Sequence, residues 1–297
     1  MILKLNKELK QKDFKNEKEL QNFFENNIET ILGYKFIDTE FIVGDFRIDS
    51  LAFDEESKSF RIIEYKNVKN HSLVDQGYTY LKLMLERKAD FVLQYNIKTK
   101  SSLTTQDIDW SQSRIIFVAP IYTAYQLNAT DFKNIPVDLV KLTRYEDDIT
   151  EIDFIKKTSN VKVQDIQMES IQNDVNKEII VYTEEDHLSK VSDNIKRVYE
   201  ELKTRILELD DIDVEAKKLY IAFKGSRNIT DIEFHKNKLK VYINMKKGSL
   251  SDPLKITKDI SNTGHWGNGD YCVTINSEDE IDNIIPLIKQ SLKVNKK

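Results

Sequence analysis

Apolar and polar positions change period along the first third of the chain, and the changes mark out its elements. Residues 16–32, NEKELQNFFENNIETIL, place Leu20, Phe23, Phe24, Ile28, Ile31 and Leu32 at helical spacing, with Asn16 as the cap and Gly33 as the stop. Glu17 lies three residues before Leu20 and seven before Phe24. It continues the apolar stripe, where an acid is unexpected, and such a residue more often simply favours the helix N-terminus electrostatically. Phe36–Val43 and Phe46–Phe53 then alternate as a hairpin turning at Gly44-Asp45. A third strand, Phe60–Lys66, leads into a helix from about Ser72 to Arg87, where Ser72 and Asp75 have the spacing of a capping box. Gln76 and Tyr80 sit four apart on one face of that helix, beside the apolar stripe of Leu73, Leu81 and Met84.

Two further apolar runs, Phe91–Tyr95 and Arg114–Ala119, read as strands; a short helix from Tyr122 and a strand at Val137–Leu142 follow. Strand–helix–strand alternation predicts a mixed α/β sheet. From Tyr145 to about His187 the pattern weakens and acids accumulate, which reads as a connector with a short docked element at Glu178–Tyr182. Leu188–Leu209 is an amphipathic helix carrying Val191, Ile195, Val198, Leu202, Ile206 and Leu209 on one face. Strands follow at Leu219–Phe223, Ile229–His235 and Leu239–Met245, then the loop GHWGNGD, a strand at Tyr271–Ile275 and a closing helix, Ile281–Leu292. The pattern therefore predicts an α/β domain with a mixed sheet over residues 1–155. An acidic connector over 156–187 and a smaller α+β domain with an antiparallel sheet over 188–297 complete the chain.

Composition narrows the picture. The 297 residues are 40% hydrophobic, with 14 Phe and 13 Tyr, enough for two cores. The single cysteine, Cys272, rules out an internal disulfide and fits a reducing compartment. No apolar run approaches the ~20 residues of a membrane span, and the first residues lack the apolar core of a signal peptide. The expectation is a soluble, cytoplasmic protein with no membrane partner. A net charge of −5 argues against a general nucleic-acid coat. The charge is uneven, however: residues 61–100 are locally basic and 145–187 locally acidic.

One stretch carries candidate chemistry. In FRIDSLAFDEESKSFRIIEYK, Asp49 sits on one strand and Glu64-Tyr65-Lys66 ends the next. Period two puts Glu64 and Lys66 on one face, and strand pairing brings Asp49 toward Glu64. Two acids and a lysine at a strand end suit a hard cation with a basic group beside it. The same spacing also fits a surface ion pair, worth roughly 0–1 kcal/mol. His71, His187 and His235 have no partners at metal-ligand spacing.

EKELQNFFENNIETILG, RIDSLAFDEESKSFRIIEYK and DQGYTYLKLM together resemble the PD-(D/E)XK nuclease superfamily, most closely its NucS-like branch, over roughly residues 14–155. The resemblance implies a restriction-endonuclease-like core with Asp49, Glu64 and Lys66 as catalytic residues. Glu17, Gln76 and Tyr80 match its supporting positions. It further implies Mg²⁺ or Mn²⁺ held by Asp49, Glu64 and the Tyr65 carbonyl, and nucleic acid as partner, DNA ahead of RNA. A homodimer stays open. NucS proteins usually carry a DNA-binding and dimerisation domain ahead of this segment, and only about a dozen residues precede the first helix here, so mismatch-specific cleavage does not carry over. KLYIAFKG and GHWGNGD resemble an uncharacterised domain often found behind NucS-like segments. His265, Trp266 and Asp270 are its candidate site, either a stacking surface or a rigid loop anchored by the tryptophan. The function expected is a metal-dependent endonuclease whose C-terminal domain selects substrate or partner. Nucleic-acid binding or ligand sensing on an uncleaving nuclease scaffold is the alternative.

Overall fold

The computed structural model describes residues 3–4, 7–66, 73–132, 134–159, 170–225, 227–264 and 267–296. The chain divides into two units, Met1–Val181 and Tyr182–Lys297. In the first, two-residue strands β1 (Leu3–Lys4) and β2 (Lys7–Glu8) pair ahead of helix α1 (Glu17–Glu25). Asn16 caps α1 by accepting from the Glu19 N–H. The expected single helix to Leu32 is broken: the Asn27 side chain donates to the Phe23 carbonyl, and α2 (Ile28–Leu32) restarts and stops at Gly33, φ 72°.

Six strands form the mixed sheet in the order β3 (Lys35–Val43), β4 (Phe46–Asp54), β5 (Ser59–Tyr65), β6 (Arg114–Ala119), β7 (Val137–Arg144) and β8 (Thr150–Phe154). The outer pairs are antiparallel, whereas β5, β6 and β7 run parallel. On one face Leu20, Phe24 and Ile28 pack on Ala52, Ile63, Tyr65 and Val118. On the other, α3 (Leu73–Glu86) and α4 (Lys88–Thr99) bring Leu81, Met84 and Phe91 onto Phe53, Phe60, Ile62 and Phe117. Cover on both faces is why every residue of β5 is buried, as central strands of such sheets are. Gly77 lets α3 lie close on the sheet, since a Cβ there would stand 3.1 Å from Ile115.

Two expectations need correction. Phe91–Tyr95 is not a strand but the middle of α4, where Phe91, Val92 and Tyr95 are buried and Leu93 and Ile97 point to solvent. A five-residue apolar run fits either period, and the packing of Phe91 edge-on to Phe41 and Phe60 decides for the helix. Nor do residues 156–187 form one separate connector. Helix α6 (Ser170–Glu178) docks on the first unit, with Val175 and Ile179 buried in its core and Asn176 accepting from the Tyr78 hydroxyl. The residues from Tyr182 on belong to the second unit. A short helix α5 (Ala124–Thr130) completes the first.

The second unit contains α7 (Glu184–Leu188), α8 (Asp193–Leu207), strands β9 (Asp213–Ala216), β10 (Ile221–Lys224), β11 (Asn228–His235), β12 (Lys238–Ile243), β13 (Lys258–Asp259) and β14 (Tyr271–Ile275), and α9 (Ile281–Asn295). The sheet is antiparallel throughout, ordered β13-β14-β12-β11-β10-β9. Ile195, Leu202, Ile284 and Ile288 from α8 and α9 cover one face against Phe223, Val241 and Val273. The helix expected from Leu188 starts instead at Asp193, because the Ser192 side chain caps it. Among the described residues no helix is long and apolar enough to cross a membrane.

Candidate active site

The β4–β5 ladder ends at the pair Ser50 and Ile63, and the next residues on each strand keep backbone donors that the ladder no longer uses. Two carboxylates take them. The Asp49 N–H donates to Glu64 Oε1 at 3.2 Å, and the Tyr65 N–H donates to Asp49 Oδ2 at 3.1 Å. Each acid is thus held by the backbone of the other's strand. Lys66 Nζ lies 3.7 Å from Glu64 Oε2, and Gln76 of α3 donates its amide to the same oxygen at 2.9 Å.

A local distortion aims Asp49. Thr39 and Ser50 reach Gln21 and Glu25 of α1, while Phe41 and Ile48, two residues away on each strand, sit in the core under α4. Residues two apart on a regular strand share a face, so both strands switch faces between these pairs. Glu40 and Asp49 occupy the switch. Glu40 has φ 52°, a left-handed conformation rare for a residue with a side chain. Irregularities of this kind re-aim side chains beside functional sites.

The charge balance is unusual. Glu64 is only 2% exposed. Burial, and then the charge of Asp49, push its carboxyl up to about 8. Burial also raises Asp49, against the Tyr65 N–H and Lys66, with Glu17 and Glu40 adding to the rise. One ammonium, 14% exposed, stands against two desolvated acids. Among the described residues no group of three or more His, Cys, Asp or Glu side chains is arranged to hold a metal ion. The donor set here is two carboxylates, with the Tyr65 main chain between Glu64 and Lys66.

The sequence-predicted residues separate into three kinds. Asp49, Glu64, Lys66 and Gln76 come together. Tyr80 stands beside this group: its hydroxyl donates to the Arg47 carbonyl at 3.2 Å, its pKa is raised by burial and then by the Glu64 charge, with Gln76 in hydrogen-bonding reach, and its ring packs edge-on against Phe46. Glu17 lies exposed in the first turn of α1, in keeping with the helix-N-terminus reading rather than with a place in the buried stripe. It still lies near enough to act on Asp49 electrostatically. The Tyr65 ring points to the opposite face, where its hydroxyl meets Ser50 Oγ at 3.0 Å.

Two participants are absent from the sequence reading. Buried Gln21 donates from Nε2 to the Asp49 carbonyl at 2.9 Å; its signal is a polar residue wedged between Leu20 and Phe24. Glu40 gives no signal in the strand pattern. In the second unit, His265 and Trp266 lie outside the described residues. Asp270 pins a loop, accepting from the Lys247 N–H at 2.7 Å while its own N–H donates to Met245. Gly269 beside it has φ 88°, and a Cβ there would stand 2.2 Å from the Ile243 carbonyl oxygen. Asp270 therefore has a structural task.

Residues 184–295 match the model of a domain of unknown function, DUF5655. A solved structure, an EndoMS–dsDNA complex, aligns with 40% of this chain and 44% of its own at 19% identity, less than half of either. Its TM-score of 0.27 is too low for the likeness to bear on this chain's fold or activity. An uncharacterized protein of Haemophilus influenzae is 47% identical over 289 residues, covering 96% of both chains. At that identity and coverage, the chain belongs to the same family as the Haemophilus influenzae protein.

Proposed function

We propose that the first unit is a metal-dependent endonuclease acting on the phosphodiester bonds of nucleic acid, with DNA ahead of RNA, and that the second unit selects substrate or partner. The observation that carries this reading is the pair of desolvated carboxylates, Asp49 and Glu64, facing each other with a single lysine. Such a pair is unfavourable unless a cation or protons neutralise it. The residue types fit a hard divalent ion, Mg²⁺ or Mn²⁺, which prefers oxygen ligands. When bound, the ion supplies Lewis-acid relief of phosphate charge and a water of lowered pKa.

The chain's own residues do the rest. Asp49 and Glu64 hold the negative charge that attracts the ion, and their bonds to the neighbouring backbone fix where their remaining oxygens point. Gln76 orients Glu64 through Oε2. Lys66, fixed at the strand end by its N–H donating to the Val118 carbonyl, positions the attacking water or stabilises the charge that develops on the phosphate. The motif resemblance over residues 14–155 supports the same assignment.

The test is cleavage of single- and double-stranded DNA and RNA by the purified chain with Mg²⁺, Mn²⁺ or EDTA. Divalent-dependent cleavage that collapses in Asp49→Asn, Glu64→Gln and Lys66→Ala is expected. Undiminished cleavage by Glu64→Gln would place the activity elsewhere. Binding without cleavage by the unmodified chain under all conditions would favour the uncleaving scaffold instead.

A further inference from the structure

We propose that Lys18 and Arg47 form an anion subsite for a backbone phosphate beside Asp49, and that Glu40 occupies this subsite until nucleic acid displaces it. The proposal rests on the nuclease reading for the identity of its ligand, but the site is argued from its own geometry.

Lys18 Nζ lies 2.9 Å from Glu40 Oε1, and Arg47 Nε lies 2.9 Å from Glu40 Oε2. One carboxylate thus bridges two cations contributed by α1 and β4. Both cations are largely open to solvent, Lys18 at 53% and Arg47 at 66% of the side chain. Arg47 uses only Nε; among the described residues its two terminal nitrogens make no hydrogen bond, leaving part of a fork that suits phosphate oxygens. Lys18 is steadied by Gln21 Oε1 at 3.0 Å, and Gln21 also holds the Asp49 carbonyl. The subsite is therefore tied mechanically to the candidate catalytic acid.

Glu40 is an unexpected residue at this point of the backbone. Its φ of 52° is the region that glycine tolerates best, and a side chain there carries strain. The left-handed turn delivers its carboxylate to Lys18 and Arg47, whose contacts hold its carboxyl below the usual range. It also adds negative charge beside Asp49, where the pair is already repulsive. A carboxylate held between two exposed cations is chemically a stand-in for a phosphodiester of the same charge. Exchange of one for the other leaves the cations paired and relieves the acid cluster once Glu40 swings out. A self-occupied site lowers apparent affinity by the fraction of time it is filled.

The test uses the full chain in EDTA, which suppresses metal-dependent cleavage, and measures binding of fluorescent single- and double-stranded oligonucleotides. Glu40→Gln is expected to tighten binding about tenfold, and Lys18→Ala and Arg47→Ala to weaken it about tenfold each. Glu40→Gly, which suits the left-handed backbone, replaces Glu40→Gln if that variant folds poorly. In parallel, inorganic phosphate is tested against chloride at matched ionic strength by thermal unfolding. Its stabilisation should be larger in Glu40→Gln than in the unmodified chain and lost without Lys18 or Arg47. Oligonucleotide binding that none of the variants alters overturns the proposal while leaving the nuclease reading intact. Phosphate stabilisation that depends on Lys18 and Arg47, with no oligonucleotide bound, supports the anion subsite and removes nucleic acid as its ligand. No response to either probe overturns the subsite, and the nuclease reading is then decided by the cleavage assay with Mg²⁺ or Mn²⁺.

Discussion

Buried acids meet opposite treatment at the Asp49–Glu64 strand end of the first unit and on the sheet of the second unit, although Asp54 of the first is itself neutralised by buried Arg61 at 2.8 Å. In the second, Glu233 on β11 is 13% exposed and accepts from the Tyr242 hydroxyl, with Lys240 at 3.3 Å from both oxygens and His235 Nε2 at 2.8 Å. Desolvation alone would raise its carboxyl, but these partners more than offset it and the net shift is downward. Glu215, which keeps 42% of its side chain exposed, is likewise held low by Lys217 and Lys224 at 2.7 and 2.9 Å. In the first unit, Asp49 and Glu64 share one lysine, and both carboxyls are raised. An acid neutralised within the chain stabilises the fold. An acid pair left short of positive charge stores a demand for something from outside, which is how perturbed groups mark functional sites.

The largest test of that contrast is Glu64→Gln. Cleavage should fall by at least ~10²-fold, about 3 kcal/mol of transition-state stabilisation. Above about pH 8, where Glu64 is ionised beside Asp49, the melting temperature of the same variant should exceed that of the unmodified chain, because one of two repelling charges is gone. Glu64→Gln that lowers the melting temperature would mean the acid is structural, and the comparison would collapse. Next in size is divalent binding. Mg²⁺ at a hundredfold excess over its dissociation constant should stabilise the first unit by about 2.7 kcal/mol, and calorimetry on Asp49→Asn should show the effect gone. Glu233→Gln should act in the opposite sense to Glu64→Gln, costing the second unit about 1–3 kcal/mol through partners left unpaired. A fragment of residues 182–297 is the material for that measurement, since its core is built from its own α8, α9 and sheet; a fragment that fails to unfold cooperatively would show that its stability depends on the first unit.

The smallest effect concerns pH. His187 is buried, its Nε2–H donating to the Lys217 carbonyl at 2.8 Å, and burial holds its pKa below the ordinary 6.5. Above 6.5 both folded and unfolded forms are neutral and the group is silent. As pH falls below 6.5 the unfolded chain takes the proton first, so stability of the second unit declines by at most about 1.4 kcal/mol per pH unit until the folded-state pKa is passed. Urea unfolding of the 182–297 fragment between pH 7 and 5 should show that slope. His187→Gln should flatten it, and an equal slope in both proteins would assign it to other groups.

Much of the candidate site is legible in the chain because it depends on short-range pattern. The alternation around Gly44-Asp45 specifies the hairpin, and period two puts Glu64 and Lys66 on one face beyond an apolar run. Gln76 is legible as well, four residues before Tyr80 on a helix whose apolar stripe faces the sheet. Illegible parts depend on partners distant in sequence. Phe91–Tyr95 fits two periods, and only Phe41 and Phe60, arriving from two strands, select the helix. Helix α6 is polar by composition and owes its place to Tyr78 and Lys88, about ninety residues away.

The sequence by itself determined the β3–β4 hairpin, β5, α3, α8 and α9, the mixed and antiparallel character of the two sheets, and the presence of two acids and a lysine at one strand end. Those follow from backbone periodicity, which is local and repeats every two or 3.6 residues. Tertiary structure alone decided that Glu40 turns left-handed opposite Asp49, that Gln21 reaches across to the Asp49 carbonyl, and that Glu64 is desolvated beside a like charge. Burial and charge pairing are properties of what surrounds a residue, and four different segments of the chain meet here to supply those surroundings.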